Sequence, residues 1–135
     1  MTVRTALVTG VIGGIGAAIA SRLAADGARV IISDLPSSEL EERAKKLALP
    51  AVAADLSIPG SVQAMIDKIK EDYCDPDILV NAAGGVRGQV GTPIEEVKND
   101  DWKSIFAANV DSFLYLAQAL SPAMKKKSWG RMVTI

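Results

Sequence analysis

Thr9-Gly10-Val11-Ile12-Gly13-Gly14-Ile15-Gly16 is the stretch that decides the fold. It follows the apolar run Ala6-Leu7-Val8 and leads into Ile15, Ala18, Ile19 and Leu23, whose spacing predicts an amphipathic helix. A strand that turns on glycines into a helix is the first crossover of a nucleotide-binding α/β unit. Gly10 can make the sharp turn out of the strand, Gly14 lets the backbone approach a pyrophosphate, and Gly16 lets helix and strand pack closely. The free N–H groups of the helix's first turn then face the phosphates. Ile12 and Ile15 complete this first set of expected cofactor-binding positions. A tight turn without a ligand is the plain alternative, but four glycines between positions 10 and 16 leave little side-chain packing to justify one.

The same alternation continues outward. Continuous apolar runs recur at Val30-Ile31-Ile32, Ala51-Val52-Ala53, Ile78-Leu79-Val80 and Met132-Val133-Thr134-Ile135, as expected of strands buried on both faces. Helical patterns separate them. The first helix closes at Asp26-Gly27. Ser38 with Glu41 forms a candidate capping box for a second helix using Leu40, Ala44 and Leu47. Val62, Met65, Ile66 and Ile69 define a third, with Ser57 as its candidate cap. The fourth is long, with Trp102, Ile105, Phe106, Val110, Phe113, Ala117, Leu120 and Met124 on one stripe, Asn99 or Asp100 as cap, and Pro122 near its end. Strands separated by helices return in parallel through right-handed crossovers. The expected fold class is therefore α/β, a doubly wound, Rossmann-like parallel sheet of strand order 3-2-1-4-5. Ligands would bind at the carboxyl ends between strands 1 and 4. Residues 1–135 make one domain.

Asp34 ends the second strand, eighteen residues after Gly16. A carboxylate there can accept hydrogen bonds from both adenosine ribose hydroxyls and would repel a 2′-phosphate. No Arg or Lys stands in the glycine turn or just after Asp34 to receive one, so NAD is expected over NADP. The alternative, Asp34 as a helix N-cap, is compatible with that role.

Composition narrows the classes further. Lys plus Arg number 15 against 16 for Asp plus Glu, which argues against a nucleic-acid partner. The only dense basic cluster, Lys125-Lys126-Lys127, reads as a solvated helix end. With one cysteine, Cys74, and no histidine, an internal disulfide, a Ser-His-Asp triad and a His-ligated or Cys-rich metal site are all excluded. Residues 1–9 carry one charge and run directly into a strand, unlike a signal peptide, and no apolar run approaches the ~20 residues needed to span a bilayer. A cytoplasmic location is expected.

At this point the residues resemble a known family. The spacing Thr-Gly-x-x-x-Gly-x-Gly from Thr9 to Gly16 is similar to the glycine motif of the short-chain dehydrogenases/reductases. Asp55-Leu56, after the third strand, resembles that family's adenine-contacting Asp and its following residue. Asn81-Ala82-Ala83-Gly84 is similar to the Asn-Ala-Gly segment that steadies the central sheet and flanks the cofactor. Asn109 matches the Asn of the family's Asn-Ser-Tyr-Lys tetrad. The resemblance implies that Asp34-Leu35, Asp55-Leu56 and Asn81 to Gly84 join the glycine turn in holding NAD. It also implies that Asn109 belongs to a proton relay with an ordered water. The residues have their own reading as well. Asn81 can bond backbone groups of a neighbouring strand or turn, and the small residues from Ala82 to Gly85 leave space beside the first strand for a nicotinamide ribose. Asn109 falls on the apolar stripe between Ile105 and Phe113, where a buried amide left unpaired costs about 1–3 kcal/mol and so should have a partner. A helix-bending amide with local bonds is the alternative. Gly85 to Pro93 reads as a flexible loop over the site, with Arg87 and Gln89 either touching cofactor or substrate or simply solvated. Trp102, Phe106 and Phe113 read as core or subunit contacts. The resemblance implies a homo-oligomer, dimer or tetramer.

The family's chemistry also needs a Ser, a Tyr and a Lys four residues beyond the Tyr. Tyr73 is followed at that distance by Asp77 and Tyr115 by Ala119, so of the tetrad only Asn109 is present. The expectation is an NAD(H)-dependent oxidoreductase that interconverts an alcohol and a carbonyl compound, represented here by its cofactor-binding part. The fifth strand would be an exposed apolar edge. The rival class is a non-catalytic NAD-binding or interaction module derived from that family, and a family member with other substrate chemistry is a third possibility.

Overall fold

Apolar runs bounded by glycine turns become parallel strands because helices of 10 to 15 residues carry the chain back between them. A computed structural model describes residues 2–135. Strand β1 (Thr5–Thr9) lies at the centre, paired in parallel with β2 (Arg29–Ser33) on one side and β3 (Ile78–Asn81) on the other. Strand β4 (Arg131–Thr134) extends the sheet beyond β3, giving the order β2-β1-β3-β4. Helices α1 (Gly14–Ala25) and α2 (Ser38–Leu47) cover one face, over Ala6, Val8, Val30, Ile32 and Val80. Helices α3 (Pro59–Asp72) and α5 (Ser112–Lys126) cover the other, over Leu7, Ile31 and Leu79. The short helix α4 (Asn99–Phe106) precedes α5. This is the expected doubly wound α/β architecture, with every strand's carboxyl end on one side.

The sheet differs from expectation at one margin. The third run forms a single parallel bridge, Ala51 to Ile32, instead of a strand, so the sheet has four strands and not five. Pro50 has no N–H to give, and the alanines beside it have weak strand preference. The segment still follows β2, because the Val52 N–H donates to the Ile32 carbonyl and the Ala54 N–H to that of Asp34. The run at 132–135 is a strand at the exposed edge, as anticipated, and is not buried on both faces.

Helix details also shift. Helix α1 buries Gly16, Ala17 and Ala20, while Ile15 and Ala18 are exposed, so small residues set its close approach to the sheet. Its end is as expected, with Asp26 as cap and Gly27 at a φ of +90°. Ser37, not Ser38, caps α2, its hydroxyl accepting the Leu40 N–H at 3.2 Å. Ile58 occupies the cap position of α3, followed by Pro59, because the Ser57 hydroxyl is committed to Asp55. Neither Asn99 nor Asp100 caps α4; that position is Lys98.

The expected fourth helix is broken into α4, a π turn over Ala107–Asp111, and α5. A π turn inserts an extra residue and rotates the face that follows. The core-facing positions become Ala108, Ser112, Leu116, Leu120 and Met124. Trp102, Phe106 and Val110 are exposed, while Phe113 packs partly against the core. No helix among the described residues is long and apolar enough to cross a membrane.

The amino ends of the strands meet at a charge cluster built on the buried Asp77. Asp77 accepts the Thr5 N–H at 3.0 Å and the Lys127 ammonium at 3.0 Å, with the Arg4 guanidinium 3.8 Å away. Lys125 to Lys127 are exposed at the end of α5, the solvated helix end expected, and Lys127 also reaches back to Asp77. Burial pushes the Asp77 carboxyl upward, but the Thr5 bond, Lys127 and Arg4 outweigh it and hold the group below its ordinary value. A depressed folded-state pKa stabilises the fold above the ordinary carboxylate range, and that contribution is lost as pH falls through the folded value. Asp77→Asn should cost about 2 kcal/mol at neutral pH and flatten the fall in stability between neutral and acid pH. Denaturant melts across that range check this; an unchanged pH dependence would refute it.

Candidate functional site

At the carboxyl end of the sheet, the turn after β1 packs backbone on backbone. Gly10 has a φ of +73°, and a Cβ there would collide with the Ala82 carbonyl group and the Ala83 nitrogen. A Cβ on Gly16 would strike the Gly10 carbonyl. Three segments thus meet where only hydrogen fits: the end of β1, the start of α1 and the chain leaving β3. Gly14 has open space where a side chain would stand and, like Gly13 and Ile15, is exposed.

The acid after β2 is tied to this turn. Asp34 Oδ2 accepts the Ile12 N–H at 2.9 Å, and its Oδ1 accepts the Leu35 N–H at 2.9 Å. Each oxygen keeps a second lone pair for another donor. Asp34 caps no helix; Ser37 does that. From α2, Arg43 donates to the Ile12 carbonyl at 2.9 Å, so the Ile12 residue is gripped through both its backbone groups.

Asp55 lies across the opening. Its Oδ1 accepts the Ser57 hydroxyl at 2.6 Å and the Ser57 N–H at 3.0 Å. The Ser57 hydroxyl bond is the largest influence on its carboxyl and, with the Ser57 N–H and the Arg87 charge, outweighs burial, so the pKa lies below the ordinary value. Asp55 therefore stays ionised at neutral pH.

These groups enclose a cleft of about 550 Å³, a size suited to a small-molecule ligand. Of the expected residues, Gly10, Ile12, Asp34, Leu35, Asp55, Leu56, Ala82, Ala83 and Gly84 line it. Gly14, Ile15, Gly16, Asn81 and Asn109 do not. Ile15 is exposed on α1, and Gly16 lies beneath Gly10.

Asn81 is fully buried under the cleft floor, and its partner is a side chain, not the backbone group expected. Its Oδ1 accepts the Thr9 hydroxyl at 2.6 Å, while its Nδ2 has no partner among the described residues. An unpaired buried donor of this kind costs about 1–3 kcal/mol.

Asn109 is exposed, not buried as its place on the apolar stripe implied, because the π turn rotates it outward. It is fully engaged all the same. Its Oδ1 accepts the Gly85 N–H at 3.0 Å, and its Nδ2 donates to the Gly85 carbonyl at 2.8 Å and the Ile105 carbonyl at 2.7 Å. The local bond to Ile105 and the cross-chain bonds to Gly85 coexist, fastening the segment after β3 to the π turn. Gln89 does not reach the cleft and accepts a bond from Thr92 instead. Sequence reading missed Arg43 and left Arg87 undecided; both are long side chains placed by elements distant in the chain. No group of three or more potential metal ligands occurs among the described residues.

Comparison with known proteins supplies the family. A model described as short chain dehydrogenase matches residues 4–135. The chain is 35% identical over 134 residues to the 3-oxoacyl-(acyl-carrier-protein) reductase FabG of Escherichia coli strain K12, covering 98% of this chain and 54% of that protein. It is 34% identical over 137 residues to the D-beta-hydroxybutyrate dehydrogenase of Cupriavidus necator, covering 98% and 52%. A crystal structure of an actinorhodin polyketide ketoreductase with NADPH superposes with a TM-score of 0.90 at 26% identity, covering 98% of this chain and 52% of that one. The chain spans about half the length of these relatives. It belongs to the short-chain dehydrogenase family.

Proposed function

We propose that this chain forms the dinucleotide-holding part of an NAD(H)-dependent oxidoreductase that interconverts an alcohol and a carbonyl compound. The observation that carries the reading is the pairing of the glycine turn with Asp34, which line the same cleft and are joined by the Ile12 N–H. The residues fit such a group. Gly10 and Gly16 close the turn without side chains, and the exposed Gly13 and Gly14 at the start of α1 would offer their N–H groups to a pyrophosphate. The second lone pairs of Asp34 suit the two ribose hydroxyls, and its charge opposes a 2′-phosphate. Arg43 reaches the turn but donates to the Ile12 carbonyl. Asp55 with Leu56 would meet the adenine, and Ala82, Ala83 and Gly84 the nicotinamide side.

Bound there, the nicotinamide ring supplies or accepts the hydride. Asn109 holds the Gly85 peptide and thereby the cleft wall through Gly84; we assign it to the proton relay as the group that fixes this wall. Proton exchange with substrate needs a Tyr with a Lys four residues on, which these 135 residues do not contain. We place that step outside them. We also propose a homo-oligomer, supported by the exposed ridge of Trp102, Phe106, Val110 and Leu114, whose first two rings stand 4.7 Å apart.

Titration calorimetry should give NADH at least about tenfold tighter binding than NADPH, the difference expected from one or two charge-assisted hydrogen bonds. Asp34→Asn keeps an acceptor for the Ile12 N–H and removes the charge, so it should narrow that gap mainly by admitting NADPH. Tighter binding of NADPH by the unaltered protein would overturn the cofactor assignment. Phe106→Glu should shift sedimentation toward a smaller species if the ridge joins copies; an unchanged species would exclude it.

A further inference from the structure

The chain has six arginines, and five are engaged. Arg4 lies beside Asp77, Arg22 bonds Asp26, Arg29 approaches Cys74, Arg43 holds Ile12, and Arg131 bonds the Gly130 carbonyl. Arg87 alone has no hydrogen bond or ion pair of this kind among the described residues, and it lines the cleft. The charge of that cleft is one-sided. Asp34, Glu39 and Asp55 contribute three carboxylates to its wall, and Arg87 is the single cation among the lining residues. A pyrophosphate entering there would bring two more negative charges against three fixed ones, with only the partial charges of the turn amides in its favour.

The backbone places Arg87 for this task. It adopts a φ of +49° between Gly85 and Gly88, both also at positive φ. The turn is held by the Gln89 N–H donating to the Val86 carbonyl at 2.8 Å, and its base by Asn109 on Gly85. Arg87 and Asp55 line the same cleft, and the Arg87 charge is the smallest of the influences that hold the Asp55 carboxyl below its ordinary value.

We propose that Arg87 is the phosphate clamp of this site, a guanidinium from the loop after β3 that pairs with a pyrophosphate held at the glycine turn. The proposal rests on the dinucleotide reading above and adds to it the residue that supplies the missing positive charge. A planar fork of N–H donors matches paired phosphate oxygens in a way a lysine ammonium does not. A pyrophosphate carries more charge than the single Asp55 carboxylate, whose Oδ1 is already bonded by Ser57.

The test is calorimetric titration of the protein and of Arg87→Gln and Arg87→Lys with NADH, ADP and adenosine. Arg87→Gln should bind NADH and ADP roughly five- to tenfold more weakly, bind adenosine unchanged, and show a flatter salt dependence for ADP. Arg87→Lys should recover part of the loss. Affinity of Arg87→Gln for ADP equal to that of the unaltered protein, at low and at high salt alike, would overturn the proposal. So would an equal loss for adenosine, which would make Arg87 an adenine contact. Failure of the unaltered protein to bind NADH or ADP would instead overturn the dinucleotide reading, and this proposal with it.

Discussion

Everything at the carboxyl end of this sheet depends on three stretches of backbone meeting at one point without side chains. The Gly10 carbonyl lies where a side chain on Gly16 would stand, and the Ala82 carbonyl lies where one on Gly10 would stand. This contact brings α1 down onto β1 and brings the chain leaving β3 against the same turn. A methyl group at either glycine would force backbone apart, because no flexible side-chain end is available to yield. The cost is conformational freedom in the unfolded chain, and the return is a helix start at which Gly13 to Ile15 are exposed.

The rest of the site is fastened to that point by hydrogen bonds from distant elements. Asp34 at the end of β2 holds the Ile12 N–H, Arg43 on α2 holds its carbonyl, and Asn109 in the π turn holds both backbone groups of Gly85. Asp34 is therefore both a wall of the cleft and a strut of the turn. Its two oxygens carry one backbone bond each, which leaves capacity for a ligand without leaving the carboxylate unsatisfied. The Asn81 Nδ2 has no partner among the described residues. The Asn81 Oδ1 is bonded by the Thr9 hydroxyl, which ties β1 to β3 at their carboxyl ends.

Much of this was legible from local chemistry. Continuous apolar runs marked β1, β2 and β3, and glycines at fixed offsets marked the crossover, because each signal is carried by neighbouring residues. What escaped depended on non-local placement or on a break in periodicity. The stripe from Trp102 to Met124 presumed an unbroken helix; the π turn at Ala107–Asp111 moved the core face to Ala108, Ser112 and Leu116 and turned Asn109 outward. The Ala51-Val52-Ala53 run looked like a strand by hydropathy but lies beside Pro50 at the sheet margin, where one bridge forms. Arg43 and Lys127 could not be placed from sequence, since their partners lie 31 and 50 residues away.

Gly13, which lines the cleft, and the first-turn amides of α1 beside it are the donors proposed for an anion. An amide-resolved NMR titration of the protein with ADP tests this central claim most directly. The largest shifts should fall on the N–H groups of Gly13, Gly14, Ile15 and Gly16, with Ile12 and Leu35 following through Asp34. Shifts confined to other helices, or none around the glycine turn at saturating ligand, would contradict the account.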